Sequence, residues 1–163
     1  MATTALAHDS NNLRKWEYGN GLYQRVLARY LDRMAAQLQR LRPAQVLDAG
    51  CGEGYVYRGM RDRGVTAAWT GLDLSPGAIS FAAARHPDAQ WETADLRRIA
   101  RPDRSADLVL CSQVLEHIPQ PEVVRDELAR VSARWLFVSV PLEPLFRSIC
   151  ALTVAVGVGQ DPG

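Results

Sequence analysis

From residue 21 to residue 42 the apolar positions Leu22, Val26, Tyr30, Met34, Leu38 and Leu41 recur every three or four residues, which is one face of an amphipathic helix. Pro43 cannot continue it, and the period then changes. Short apolar runs at 45–49, 67–74, 89–96, 105–113 and 134–141 alternate only weakly and read as strands. Helical stretches fall between them. One covers 54–63 and stops at Gly64. A second covers 77–85, with Ser75 as N-cap and Pro76 in its first turn. A third is opened by Pro119 and Pro121 and reaches Val131, with Val124, Leu128 and Val131 on one face. The apolar segment 145–158 is expected to be a last helix. Strands alternating with helices argue for a parallel sheet covered on both faces, as does the weak alternation within each strand. Residues 1–12 are polar or small and are expected to be a disordered tail, with 13–163 as one domain.

Composition narrows the function classes. The apolar fraction of 47% and charged fraction of 23% are those of a soluble globular domain. A net charge of +1 gives no field for gathering nucleic acid or acidic lipid. Cys51, Cys111 and Cys150 are widely spaced and form neither a disulfide framework nor a zinc signature, so no metal is expected. The N-terminus has no apolar signal core. The apolar run at 149–159 falls far short of the roughly 20 residues a membrane-spanning helix needs. A cytoplasmic location is the resulting expectation.

The chemistry concentrates in "VLDAGCGEGY", residues 46–55, a strand running into a turn with Gly50, Gly52 and Gly54. Such a turn either only reverses the chain tightly or lets backbone approach a ligand. In open α/β sheets ligands bind beyond the carboxyl ends of the strands, where strand order reverses. A nicotinamide or flavin fingerprint, Gly-x-Gly-x-x-Gly, would place its third glycine at position 55, which is Tyr55. Asp48, beside the turn, would repel a pyrophosphate and suits a ligand that carries positive charge.

At this point the chain resembles the class I S-adenosylmethionine-dependent methyltransferases, in particular their broad small-molecule, quinone-biosynthesis-like subgroup. "VLDAGCGEG" (46–54), "GLDLSPGAI" (71–79), "TADL" (93–96) and "ADLVLCSQVLEHIP" (106–119) carry the resemblance in order, and "FVSVPLEP" (137–144) extends it. The resemblance implies a Rossmann-like, doubly wound, mostly parallel sheet of strand order 3-2-1-4-5 with helices on both faces. It implies S-adenosylmethionine as cofactor. Gly50, Cys51 and Gly52 would let backbone approach its methionyl part, while Asp48 and Gly54 shape the turn. Asp73 would accept from both ribose hydroxyls, its alternative being a helix-capping carboxylate. Leu74 would pack on the adenine face. Asp95 would accept from the adenine amino group, its alternative being a turn former, and the Leu96 amide would reach a ring nitrogen. The backbone at Cys111 and Ser112 would line the methionyl side, with Cys111 a small core residue rather than a nucleophile.

Methyl transfer from a sulfonium is a direct displacement in which the cofactor carries the activated group, so a base is optional. His117 in "LEHIP" is the candidate base, its alternative being a residue that orders the turn before Pro119. Adenine and cytosine amino-methylating enzymes carry Asn-Pro-Pro-Tyr or Asp-Pro-Pro-Tyr after strand four, where this chain reads "CSQV", so a small-molecule acceptor is expected and no nucleic acid. Trp16, Tyr18, Tyr23 and Tyr30 form either a lid over that acceptor or ordinary packing. The family's sheet has seven strands, and this sequence reads as lacking the sixth and seventh. Strand five would then be an open edge through which chains self-associate, and the short form's activity would be in doubt. Two other functions stay open: a non-catalytic cofactor-binding module or fragment, and a nicotinamide-dependent oxidoreductase, which Tyr55 disfavours.

Overall fold

The computed structural model describes residues 21–141 and 151–157. The expected tail at 1–12, with Trp16 and Tyr18, lies outside them. The chain runs α1 (Gly21–Leu41), β1 (Gln45–Ala49), α2 (Tyr55–Arg61), β2 (Ala68–Asp73), α3 (Pro76–Arg85), β3 (Gln90–Thr93), β4 (Ala106–Ser112), a short 3₁₀ turn (Leu115–His117), α4 (Pro121–Val131), β5 (Ser132–Pro141) and β6 (Ala151–Gly157). The sheet order is β3-β2-β1-β4-β5-β6. The first five strands are parallel, in the expected order.

The sheet's two faces are separated by the strand period of two. Val46, Trp69, Leu108, Leu110 and Phe137 face α1 and α2, meeting Leu31, Met34, Leu38, Tyr57 and Met60. Leu47, Ala49, Leu72, Val109 and Cys111 face the other way, against Val124, Leu128 and Val131 of α4 and against Leu96 and Ile99. The helix face expected from periodicity is the one α1 buries, with Met34 and Leu38 each 1% exposed. The Ser75 hydroxyl accepts from the Ala78 amide at 3.3 Å and Pro76 opens α3, so the predicted cap forms.

Two expectations are corrected. The segment expected as a helix over 145–158 instead contains β6, and strand six is therefore not missing. It pairs antiparallel with β5, Leu136 opposite Val156 and Val138 opposite Val154. The physical reason is legible afterwards: Leu152, Val154 and Val156 alternate and two are β-branched, which suits a pleated ribbon. The unpaired groups along β5 supply the partner. β5 is thus hydrogen-bonded on both sides, and the open strand-five edge invoked for self-association does not exist. No helix among the described residues is long and apolar enough to cross a membrane.

Candidate cofactor site

β1 lies between β2 and β4, so the chain leaves β1 at the point where strand order reverses. The glycine turn occupies that point. Gly50 and Gly54 have φ of 81° and 80°, the left-handed region that residues with a Cβ avoid. A Cβ on Gly50 would also lie 2.4 Å from Cγ2 of Val114, so the β4 turn closes directly over this glycine. The amides of Gly50 and Cys51 both donate to the Leu72 carbonyl, at 2.7 and 3.0 Å. The turn is in this way tied to the carboxyl end of β2.

Asp73 completes that tie. One carboxylate oxygen accepts from the Gly52 amide at 2.9 Å and the other from the Ser75 amide at 2.9 Å. The helix cap is Ser75, and Asp73 makes an Asx turn ahead of it rather than the cap itself. Each carboxylate oxygen has a second acceptor site, so two hydroxyls can still be bound there. Leu74 follows and is 67% exposed, against the burial usual for leucine, on the same strand end. Asp73 is thus bonded to the turn, and Leu74 is the next residue in the chain.

The other predicted residues divide. Asp48 points to the α1–α2 face rather than into the turn. It is 1% exposed and accepts from Trp69 Nε1 at 3.3 Å. Burial pushes its carboxyl up to about 7, opposed by the Trp69 bond and reinforced by the nearby Asp73 charge. Asp95 is held by Arg97, whose Nη2 and Nε lie 2.6 and 3.1 Å from one carboxylate oxygen. These bonds and the Arg97 amide hold its carboxyl down at about 2. An adenine amino group would share Asp95 with that guanidinium. Leu96 is buried in the α4-side core. Cys111 is fully buried there, and burial pushes its thiol up to about 12; the Cys51 thiol is likewise raised by burial. Neither is a nucleophile at neutral pH. His117 stands on the 3₁₀ turn, its side chain 76% exposed and 4.0 Å from the Glu116 carboxylate.

A second set of polar contacts, outside the expected site, lies beneath α1. The Tyr30 hydroxyl lies 2.7 Å from Ser112 Oγ and 2.7 Å from Ser139 Oγ. A lone serine in the apolar run "LFVSV" was the available signal, because a buried hydroxyl needs a partner. Elsewhere, a cavity of about 500 Å³ lined by Leu38, Arg42, Gly64 and Thr66 sits at the amino ends of β1 and β2, away from the glycine turn. Ligands of such sheets bind at the opposite, carboxyl end.

Residues 47–134, more than half of the chain, match the methyltransferase domain family. The chain is 35% identical over 88 residues to a malonyl-[acyl-carrier protein] O-methyltransferase of Serratia marcescens, covering 54% of this chain and 34% of that protein. It is 34% identical over 110 residues to a ubiquinone biosynthesis O-methyltransferase of Paracidovorax citrulli, covering 63% and 45%. The chain thus spans less than half the length of these relatives. Its fold is similar to magnesium protoporphyrin IX methyltransferase from Synechocystis PCC 6803 with bound S-adenosylmethionine, with a TM-score of 0.65, 24% identity, and 82% and 72% of the two chains covered. It is also similar to the [4+2]-cyclase SpnF, with a TM-score of 0.59 and 22% identity over 67% and 44%.

Proposed function

We propose that this chain, which belongs to the methyltransferase domain family, binds S-adenosylmethionine at the glycine turn and transfers its methyl group to a small-molecule acceptor. The observation that carries the reading is the junction of that turn with β2. The glycines take the left-handed backbone of a tight turn, Val114 packs on Gly50, and Asp73, bonded to the Gly52 amide, is followed by the exposed Leu74. A ribose diol fits the remaining acceptor capacity of Asp73, and an adenine ring fits the apolar face of Leu74. An oxygen acceptor is the narrower reading, since relatives that match over this region are O-methyltransferases.

The bound cofactor supplies the activated methyl group, and the chain's residues supply orientation and exclusion of water. Burial of Cys51 and Cys111 and the exposure of His117 leave no activated nucleophile among the site residues. Direct displacement needs none. The reading therefore assigns His117 no obligatory proton transfer.

A second reading is a cofactor-binding domain without methyl transfer. It stays open because one fold can host different activities. Labelled methyl transfer from S-adenosylmethionine to a panel of phenols, carboxylates and amines decides between them. Transfer to an oxygen acceptor supports the first reading. Binding without transfer, in this chain and in a form extended with more of a relative's length, supports the second.

A further inference from the structure

The glycine turn is not held by β1 and β2 alone. On its other side stands the end of β4, and that end is fastened to α1. Ser112 and Ser139 are paired across β4 and β5, and both point to the α1 face, in step with Leu110 and Phe137. Tyr30 reaches them from α1. Its hydroxyl lies 2.7 Å from each serine oxygen, and the two serine oxygens are 3.3 Å apart. Three hydroxyls in a closed triangle can each donate once and accept once, so all are satisfied without water. Ser139 is fully buried, so the triangle is internal structure rather than surface decoration.

The next two residues carry this fastening to the turn. Gln113 takes a left-handed φ of 58°, uncommon for a residue with a Cβ, and its amide donates to the Ser139 carbonyl at 2.9 Å. That bend turns the chain so that Val114 stands over Gly50, filling the space a side chain there would take. A shift of Ser112 therefore moves Val114 and, by contact, the first glycine of the turn. Close-packed contacts transmit such shifts rather than absorbing them.

We propose that Tyr30 is a positioning residue for the cofactor turn: its hydroxyl fixes the end of β4, and so the seat of Val114 on Gly50. This assigns to α1 a part in cofactor affinity that neither a lid nor ordinary packing would give it. The inference rests on the proposed cofactor site, and its test separates the two.

The test is calorimetric titration of S-adenosylhomocysteine into the full chain and its variants. Tyr30→Phe keeps the ring and removes the hydroxyl, and is expected to weaken binding five- to twentyfold. In a Val114→Ala background the same change is expected to cost less than twofold, because the route through Val114 is already broken. A purely structural role would lower the melting temperature and leave this coupling absent. If Tyr30→Phe does not fold, Ser139→Ala replaces it, with at least threefold weakening expected and the same loss of effect beside Val114→Ala. Failure of the wild-type chain to bind overturns the proposed cofactor site, and this inference with it. Binding by the wild type with equal affinity in Tyr30→Phe overturns the inference alone, as does an undiminished effect of Tyr30→Phe in the Val114→Ala background.

Discussion

The Gly52 amide donates to a carboxylate oxygen of Asp73 at 2.9 Å, joining the turn after β1 to the end of β2. One residue thus serves both the shape of the site and its proposed ligand. Asp73→Ala is expected to weaken S-adenosylhomocysteine binding by about 1.5–3 kcal/mol, the scale of hydrogen bonds to a charged group. It also removes the acceptor for the Gly52 and Ser75 amides, so a lower melting temperature should accompany the loss. Asp73→Asn keeps one acceptor oxygen and should fall between. Unchanged affinity in Asp73→Ala would misplace the ribose.

Leu74 offers a cleaner separation of binding from stability. At 67% exposure it contributes little to the core, so Leu74→Ala should leave stability within about 0.5 kcal/mol. If the adenine packs on it, the same variant should bind S-adenosylhomocysteine about 1–2 kcal/mol more weakly, the worth of a leucine side chain buried only on binding. Equal affinity would place the adenine elsewhere.

Asp48 predicts a pH dependence. Its carboxyl rises from 3.8 to about 7 on folding, chiefly through burial. The folded state therefore binds the proton more tightly than the unfolded chain. Stability should fall as pH rises from about 4 to about 7, by roughly 4 kcal/mol for a shift of about three units. His86 is shifted down by burial and acts in the opposite sense in part of this range, so the difference between variants is the measurement. Asp48→Asn can still accept from Trp69 Nε1. It should melt higher than the wild type at pH 8 and lose the excess slope between pH 4 and 7. Parallel curves for the two proteins would show that Asp48 is ionised without penalty.

His117 is expected to matter little. General bases contribute on the order of 10²–10⁴-fold. With its side chain 76% exposed and 4.0 Å from the Glu116 carboxylate, His117→Ala should lower kcat by less than about tenfold and leave the pH profile in place. A loss of about a hundredfold or more, with an ionisation removed from the profile, would make it the base.

The parts of this molecule legible in its sequence are those fixed by local chemistry. The helix at Gly21–Leu41 follows from its periodicity, the start of α3 from Ser75 and Pro76, and the glycine turn from its spacing. What escaped depends on partners distant in sequence. Tyr30 fits the apolar face of α1, and nothing local says that its hydroxyl meets serines 82 and 109 residues away. Asp48 stands beside the glycines in sequence, yet the strand period turns it to the opposite side, toward Trp69. In β6 the alternation of Leu152, Val154 and Val156 is a strand period, and the edge of β5, distant in sequence, supplies the partner that makes it a strand.

The most direct test of the whole account is parallel titration of the wild-type chain with S-adenosylhomocysteine and with NAD. Tyr55 stands where a dinucleotide fingerprint has its third glycine, while Asp73 and Leu74 suit a nucleoside. Saturable binding of S-adenosylhomocysteine, with no heat from NAD at the same concentrations, is the predicted result. Binding of NAD, or of neither ligand, would contradict it.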